Sequence, residues 1–580
     1  MQKPLKNKKK ENKTMFKNYY IYNENLMFKL LIITFLLCST AIYGETIEEI
    51  NAQELRNMSR EINEEIKKDI KPPPFITKFR KLQPIKANKD ALGKCYTINH
   101  VKIKGKGVKE RFDNFENIKN QQVDSQCLTK TDIVNILASI NNYYISQGYI
   151  TTIASIGKQD ISSGTLVIKV TDGIIGNFDI KDRKNIHEDR VFGGLKGKIL
   201  NIRELEQGIE HINRVQSNNA SMKILPTKKQ GVSIVKITNT PAEEPVRFST
   251  SVDNSGSENT GKIRVGTTLF IDDPTLNNDT LEISYRTSLA GGLDKQGKSI
   301  YKSINWQIPN NRSTFGFSFI QSSSHYEIAQ ASGVNSFSEN NSTTKVLSWG
   351  YNLYRDQISR LVSTIKLTTL NPQNYHNKQL IGVSSRKKSS ISHLMRYDDV
   401  IYKGAFNITI GTHAGMKKFS SYSDAENLTA DSPVAQFVKN SLDVGYNRKI
   451  FDNYKLSTSL TMQYSSDILY PDQEFSIGHG TTPGFTKNSY AGNKGYHWKH
   501  KISSQFKKFG ATNNITLSLA HGKVYAKNSG KDSRALGMGL SLSSNWAKGF
   551  NLSISTGKAL RVPDNIKQPL FTNFSLSYKF

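Results

Sequence analysis

The sequence of 580 residues predicts a mainly β protein. Its C-terminal part is expected to form a transmembrane β-barrel of about 16 antiparallel strands, preceded by two α/β domains and an N-terminal amphipathic helix. Three observations support this prediction: the chain ends on an alternating strand, short alternating segments fill the region from Val246 onward, and a β-α-β-β pattern occurs twice before it. Because no run of 18 or more apolar residues follows the N-terminal region, membrane-spanning helices are not expected.

Residues 1–44 have the pattern of a signal peptide. Met27-Phe-Lys29 provides a positively charged start, residues 30–37 an apolar core and residues 42–44 a small-residue exit. The Lys-rich stretch before Met27 is interpreted as a long n-region or as a misassigned start codon. The chain is therefore expected to be exported.

The net charge does not predict nucleic-acid binding. It is +30 for the whole chain, and +24 without residues 1–44, which hold eight Lys and two Glu. The remaining Lys residues are scattered among Asn and Ser and are not gathered on one helix or around aromatic residues. This distribution indicates a solvated surface, for example one that faces lipopolysaccharide.

Residues 45–71 are predicted to form an amphipathic helix, because apolar residues recur every three to five positions with Glu, Arg and Lys between them. Pro72-Pro73-Pro74 ends the helix and begins a stiff linker that extends to residue 93. Since this helix has little core of its own, we expect it to dock on a partner or inside a wet cavity. Its apolar positions are Ile47, Ile50, Leu55, Met58, Ile62, Ile66 and Ile70.

Residues 94–173 are predicted to form the first α/β domain. The alternating segments Tyr96–Ile103, Tyr149–Ile156 and Thr165–Val170 predict strands. Between the first two, a helix is expected to begin at Thr131-Asp132 and to end at Gly148. Its apolar face consists of Ile133, Leu137, Ile140 and Tyr144.

Residues 174–241 repeat this plan as a second α/β domain. Strands are predicted at Ile174–Ile180, Ser221–Leu225 and Gly231–Ile237, with a helix around Arg203–Val215 after the first. The helix face consists of Leu205, Ile209, Ile212 and Val215, and the faces of both helices are interpreted as mainly core.

Residues 246–580 are predicted to form the barrel. Segments such as 281–285, 314–319 and 456–462 alternate apolar with polar residues and are separated by clusters of Asn, Ser, Gly and Asp. Roughly 335 residues, at roughly 20 per strand and connection, accommodate about 16 strands. The last strand places Phe574, Leu576, Tyr578 and Phe580 on one face, as expected for a strand that faces lipid.

The residues indicate no catalytic, metal or cofactor site. No Ser/His/Asp arrangement, carboxylate pair or Gly-rich phosphate loop supports an enzyme. His479 and His521 lack accompanying carboxylates or Cys, so hydrogen-bonded side chains are favoured over metal ligands. Cys95 and Cys127 remain after signal cleavage, and in an exported chain such a pair favours a structural disulfide over a metal site or a redox role.

Six further matches indicate a known family: 95–98 with 127–129, 144–152, 164–166 with 170–173, 203–208 with 213–214, 253–256 with 260–261, and 301–309. In these stretches the chain resembles the two-partner secretion transporters, members of the Omp85 superfamily that export haemolysins and filamentous adhesins. The resemblance covers nearly everything after the signal peptide. That family has a plug helix, a linker, two periplasmic POTRA domains and a 16-stranded barrel, in the order predicted above.

The resemblance also implies a lid inside the barrel. In this superfamily a long loop folds back into the pore, and its tip carries a Val-Arg-Gly-Phe/Tyr motif. The matching loop lies near residues 476–495, and its tip is Thr482-Pro483-Gly484-Phe485. Pro483 therefore stands where the family has Arg.

The wall that should face this tip departs from the family as well. The family's Arg is expected to pair with an Asp on an inner strand, and the matching strand at 518–524 has Ala520 in that position, followed by Gly522. Loss of both charges together is physically consistent, because one buried charge left unpaired is strongly destabilising. We expect Phe485 and backbone contacts to hold the lid instead.

The function implied by the resemblance is that of a translocator in the bacterial outer membrane. It would recognise a haemolysin- or adhesin-like partner in the periplasm and export it unfolded through the barrel, which the helix and the lid would plug at rest. Client contacts are expected at the POTRA sheet edges, by β-augmentation, and beside the POTRA helices. The helix residues expected to bind the client are Ile133, Leu137, Ile140, Tyr144, Leu205, Gln207, Ile209 and Arg214.

Other partners follow from the same resemblance. Outer-membrane lipid would surround the barrel, and the barrel-assembly machinery would recognise Tyr578 and Phe580 as an insertion signal; a monomer is expected. Two alternatives stay open: an assembly factor of the same superfamily, which would have more POTRA domains and keep the Arg-containing tip, and a passive porin or nutrient receptor, which would not need two periplasmic modules.

Overall fold

The structure, a computed structural model, describes residues 96–580 with gaps at 106–126, 182–185, 241–242, 258, 290–296, 329–335, 357, 426–427, 430, 487–488, 526–531, 548, 564–567 and 569. The predicted signal peptide, amphipathic helix and linker, together with Cys95, lie outside the described residues. Among the described segments, no helix has the length and apolar character needed to cross a membrane.

The first α/β unit contains β1 (His100–Lys104), α1 (Lys130–Ser146), β2 (Ile153–Ser155) and β3 (Thr165–Thr171). Its sheet has the order β1-β3-β2, in which β1 runs parallel and β2 antiparallel to β3. The buried side chains of α1 pack on this sheet and form one apolar core.

Local hydrogen bonds change two of the predicted boundaries in this unit. Asp132 N donates to Thr129 Oγ1 at 3.3 Å and Thr129 N donates to Asp132 Oδ2 at 2.8 Å, so α1 begins after Thr129 with a capping box, before the predicted start. Thr152 N donates to Tyr149 O at 3.2 Å and closes a turn. The predicted strand Tyr149–Ile156 therefore contains only the three residues of β2.

The second α/β unit contains β4 (Ile174–Ile180), α2 (Glu188–Val191), α3 (Ile202–Asn213), β5 (Ala220–Pro226) and β6 (Val232–Asn239). Its sheet has the order β4-β6-β5, with the same mixed directions as the first. The prediction missed α2, because one turn of helix is too short for a periodic pattern.

Sixteen antiparallel strands of the described residues form a closed barrel, in which each strand pairs with the next and β25 pairs with β7. This confirms the predicted fold class. Strand β14 (Gln379–Leu380) only extends the end of β13, while β19 (Phe475–Gly478) and β20 (Ser489–Gly492) pair with each other as a separate two-stranded sheet. The barrel strands are β7 (Val246–Asp253), β8 (Arg264–Asp272), β9 (Thr280–Ser288), β10 (Lys298–Asn310), β11 (Ser313–Ile328), β12 (Ser336–Arg355), β13 (Arg360–His376), β15 (Lys388–Ile401), β16 (Gly404–Met416), β17 (Val438–Phe451), β18 (Tyr454–Tyr464), β21 (Lys494–Lys508), β22 (Ala511–Tyr525), β23 (Ser533–Trp546), β24 (Phe550–Arg561) and β25 (Phe571–Lys579).

Strand β23 shows why these segments form a barrel wall. Met538, Leu540 and Leu542 are exposed on one face, which suits contact with lipid. The alternate positions, among them Gly539 and Ser541, face inward. A period of two thus separates an apolar exterior from a polar interior.

Candidate functional site

The inner face of the barrel carries short polar side chains. Ser518 of β22 pairs with Gly539 of β23, and Ser541 pairs with Ser555 of β24, all at inward positions. Lys501 of β21 lies opposite Ser518 and adds a positive charge. Such a wall offers hydrogen bonds and hydration along the lumen without a large apolar surface that would retain a passing segment.

A lid, which we define as residues 465–493 between β18 and β21, folds into this lumen. Phe485 near its tip is only 2% exposed. It belongs to an apolar cluster with Ile477 of the lid and with Val524 and Ala535 of the wall. Burial of this side chain therefore holds the lid against β22 and β23.

The lid tip lies on three inward glycines, Gly537, Gly539 and Gly557, which we call the glycine seat. A Cβ added at Gly539 would lie 3.0 Å from Cβ of Pro483, and one at Gly557 would lie 2.6 Å from the backbone N of Gly484. A Cβ at Gly537 would overlap the carbonyl O of Pro483. Since only glycine admits so close an approach, the tip is held by complementary shape.

The wall residues predicted from the sequence lie beside this seat. Ala520 is fully buried and pairs with Gly537. A Cβ at Gly522 would lie 2.7 Å from Cγ2 of Ile477, so Gly522 lies under the lid strand β19. The prediction did not name the seat on β23 and β24. Its signal in the sequence is the Gly-x-Gly alternation at 537–539, which resembles many other glycine pairs in turns and strands.

Hydrogen bonds continue the attachment beyond the tip. The backbone N and the hydroxyl of Thr486 both donate to Gln568 Oε1 at 3.0 Å. Tyr490 OH donates to the carbonyl O of Pro563 at 3.3 Å. These contacts tie the lid to the segment that precedes β25, which the sequence analysis also missed.

The two histidines near the lid have ordinary neighbours. His479 Nδ1 lies 3.3 Å from the carbonyl O of Phe485, and the ring of His521 packs edge-on against Tyr496 with 5.8 Å between centroids. No group of three or more His, Cys, Asp or Glu in the described ranges could hold a metal ion.

The helix residues predicted to bind a client lie in two different environments. Ile140, Tyr144, Leu205 and Ile209 are buried in the cores of the two α/β units. The folded units enclose these four side chains, and client contact at the two helices stays a prediction. Ile133 and Leu137 are half-buried and pack against the core of the first unit.

The two polar helix residues in that set contact the barrel instead. Gln207 Nε2 donates to the carbonyl O of Asn311 at 2.7 Å, in the turn between β10 and β11. Arg214 Nη1 lies 3.4 Å from Thr314 Oγ1. Gln207 of α3 and Arg214, which follows its last residue, thus dock the second unit on the barrel, and their role in client binding stays a prediction.

Glu210 of α3 supplies the main charged contact of this docking face. One carboxylate oxygen accepts from Arg360 Nη1 at 3.1 Å, and the other pairs with Arg355. Arg360 also pairs with Asp398 of β15 at 3.1 Å. One helix position is therefore linked to three neighbouring barrel strands.

Burial at this face changes two titrating groups of α3. Burial raises the pKa of Glu206, although Arg203 donates to both of its carboxylate oxygens at 2.8 Å. Burial, and then the charges of Arg214 and Arg355, lower the pKa of His211 to about 3. His211 is therefore neutral at the pH of most cellular compartments.

Both α/β units cover part of an outer sheet edge with an Asn from their helix. Asn141 Oδ1 accepts from Ala154 N at 2.8 Å, and Asn141 Nδ2 donates to Ala154 O at 3.3 Å. Asn213 makes the same two bonds with Ala220, at 2.6 and 2.8 Å. Because Ala154 is the central residue of β2, the edge of the first sheet is already occupied.

The edge strand β5 continues beyond Ala220, the residue that Asn213 covers. The N–H and C=O of Ala220 point to the outer edge, so those of Met222 and Ile224 point there as well. At the opposite edge of this sheet, Ile175 N donates to Lys198 O at 2.9 Å and occupies β4 at that residue. Within the described residues, β5 is an open edge of the second unit.

The remaining predicted site residues are Cys95 and Cys127, in front of the barrel, and Tyr578 and Phe580 in its last strand and at its end. Cys127 is disulfide-bonded, whereas the predicted partner Cys95 lies outside the described residues. The Tyr578 ring contacts those of Phe550 and Phe580, with centroids 4.4 and 4.5 Å apart. Phe580 is exposed. The role of these two aromatic residues in membrane insertion stays a prediction.

A closed barrel with a polar lumen that holds a lid, and with the second of two α/β units docked on its strands, defines a class, the protein transporters of the bacterial outer membrane. Comparison with known proteins agrees. The model described as haemolysin secretion/activation protein ShlB/FhaC/HecB matches residues 231–544. A ShlB-type POTRA domain matches 96–173, and a further POTRA domain matches 174–226.

Individual relatives cover most of the chain. It is 26% identical to the outer membrane transporter CdiB of Dickeya dadantii over 438 residues, which are 75% of this chain and 77% of that protein. It is 25% identical to the hemolysin transporter protein ShlB of Serratia marcescens, over 96% of this chain and 100% of that protein. The solved structure of CdiB from Escherichia coli has the same fold, with a TM-score of 0.81 at 23% identity, over 93% of this chain and 100% of that one.

The chain belongs to the haemolysin secretion/activation protein family. It is therefore an outer-membrane transporter of two-partner secretion, which exports a secreted partner protein through its barrel. Its two α/β units are POTRA domains and lie in the periplasm.

Proposed function

We propose that the second POTRA domain captures an extended segment of the secreted partner on the edge of β5. The open N–H and C=O groups of Met222 and Ile224 support this site, since an added strand would complete their hydrogen bonds. Asn213 occupies the same edge at Ala220 and would fix where the added strand ends. The edge of β2 would accept a strand only after Asn141 is displaced.

The lumen is proposed to be closed at rest by the lid together with the helix at 45–71. The observation that carries this proposal is the contact of Pro483 and Gly484 with the glycine seat. Client binding would open the pore only if the client binds the open state more tightly than the closed one. Folding of the client outside the cell would drive transport, without catalytic chemistry or a cofactor.

Further partners are proposed from the outer surface of the barrel and from the ends of the chain. The exposed apolar face of the barrel suits outer-membrane lipid, and Tyr578 with Phe580 would be recognised by the barrel-assembly machinery. The disulfide of Cys127 is proposed to join Cys95. The transporter would act as a monomer on a large exoprotein of the haemolysin or adhesin type, and it would not bind nucleic acid.

Two deletions test the proposal. Removing residues 45–71 should raise the conductance of the protein in planar bilayers without abolishing export of the exoprotein encoded beside it. Removing residues 253–580 should abolish export. An unchanged conductance after the first deletion would count against the plug, while export after the second would count against transport through the barrel.

A further inference from the structure

The base of the lid has an ion pair of its own, which is separate from the contacts of the tip. Asp472 pairs with Lys388, the first residue of β15, and the two side chains are only 5% and 9% exposed. Gln473 Nε2 donates to the second carboxylate oxygen of Asp472 at 2.7 Å. Both oxygens of this enclosed carboxylate are therefore used.

Other cations of the barrel meet the same segment. Arg386 donates to Tyr470 OH at 2.6 Å. Lys388 Nζ lies 4.4 Å from the ring centroid of Tyr470, a cation–π distance. Lys439 of β17 donates to the carbonyl O of Gln473 at 2.9 Å. Charged groups from the start of β15 and of β17, two strands separated by β16, thus converge on four consecutive residues of the lid, 470–473.

We infer that Lys388 and Asp472 are positioning residues that fix the lid over the lumen from its base. The tip has no charge at Pro483, and its neighbour Ala520 has none either, so the tip is held by shape and apolar burial. At the base, a charge separated from its partner would remain in an enclosed site, which is strongly unfavourable. The inference deepens the proposed role of this segment as a lid and depends on it.

Hydrogen bonds just before the ion pair link the base segment to the rest of the lid. Val434 N donates to Ile468 O at 2.9 Å, and Leu469 N donates to Asn493 Oδ1 at 3.0 Å. Asn493 is the last residue of the lid. Because the second bond joins the two ends of the lid, we expect a displacement at Asp472 to move both ends, and not only one side chain.

The test records single-channel currents of the purified full chain in planar bilayers and measures the open probability of the pore. Asp472→Asn keeps the shape of the side chain and removes its charge. It should raise the open probability about tenfold, because a buried pair then lacks one member. Lys388→Met should also raise the open probability. The exchange Lys388→Asp with Asp472→Lys should restore the wild-type open probability.

A matched control comes from the exposed pair of Lys449, near the end of β17, and Asp452, in the turn after it, whose charged atoms lie 3.7 Å apart. Asp452→Asn should leave the open probability unchanged, since exposed pairs contribute little. Heat-modifiable migration in gel electrophoresis establishes that each barrel has folded. If Asp472→Asn does not assemble, the charge exchange alone decides.

The outcomes separate the two levels of the inference. A wild-type open probability in folded Asp472→Asn, or a raised one in the folded charge exchange, overturns the role of the pair. In the chain without the proposed plug at 45–71, deletion of residues 475–492 should raise the conductance whichever residues hold the lid. If that deletion leaves the conductance unchanged, the lid proposal itself fails, and the inference fails with it.

Discussion

Pro483 of the lid lies against Gly539 of the barrel wall, with the proline Cβ 3.0 Å from the position that a Cβ would take at the glycine. The two residues are separated along the chain by the whole of β21 and β22. The lid can take this position only because Gly539 has no side chain. Small substitutions at the glycine seat therefore test the position of the lid.

Gly537→Ala should displace the lid tip and raise the conductance of the pore. The added methyl group would overlap the Pro483 carbonyl, and relieving such overpacking typically costs about 1–3 kcal/mol. Planar-bilayer recordings measure the effect. Gly350→Ala is the control, since a Cβ at that inward glycine would find its nearest atom at 3.4 Å. Equal conductance of both variants would contradict the seat.

Glu210→Gln should loosen the second POTRA domain from the barrel. The substitution weakens the contacts with Arg355 and Arg360, and a hydrogen bond to a charged group contributes about 1.5–3 kcal/mol. Limited proteolysis of the connection at 240–245 should become faster. Glu204→Gln is the control, because its pair with Arg312 is longer, at 3.7 Å, and more exposed. Similar cleavage rates would argue against Glu210 as the main contact.

Acid should weaken the same docking face through His211. Its pKa is about 3 in the folded protein against an ordinary 6.5, so the unfolded state takes up the proton first. The contribution of neutral His211 to the free energy of unfolding is fully present above pH 6.5. It is lost as the pH falls from 6.5 towards 3, at about 1.4 kcal/mol per pH unit. Melting curves at pH 7.5 and 5.5 measure the loss.

His211→Gln should flatten this pH dependence, because the amide cannot be protonated in that range. His187→Gln, at an exposed position of the same domain, should keep the wild-type profile. A flat profile for the wild type would show that the docking face accommodates the charged ring.

Met222→Pro should reduce capture of the secreted partner. Proline removes one outward N–H of the edge strand β5 and leaves the bonds of β5 to β6 in place. Binding of the partner to purified protein, measured by co-purification, should fall. Met222→Ala removes most of the side chain but keeps the N–H, so it should bind nearly as well. A loss in both variants would assign recognition to the side chain and not to strand addition.

Local periodicity was sufficient to predict most elements of the fold. The strand at Ile174–Ile180 has the predicted bounds, and α3 lies within two residues of its predicted ends. At Tyr149 the pattern was misleading, because aromatic and β-branched residues favour a strand. In the structure, Thr152 N donates to the carbonyl O of Tyr149 and forms a turn instead. The four-residue helix α2 had no pattern to detect.

The sites depend on contacts between distant segments, and these have no local pattern. The apolar face of a helix looks the same whether it covers its own core, as Leu205 does, or receives a partner. Gln207 is polar and would suit either a client or the barrel, and only the folded chain brings it to Asn311. Likewise Lys388 and Asp472 are separated by more than eighty residues, so neither predicts the other.

The pairing of β25 with β7 has a consequence for biosynthesis. These are the last and the first strands of the barrel, and they meet through residues Ser575–Lys579 and Ser249–Asp253. Without β25, β7 has no neighbour on one side, and its backbone groups would be left unpaired in lipid. Loss of Phe571–Lys579 would therefore leave a sheet with two open edges, which is material for aggregation or degradation and not a slightly smaller pore.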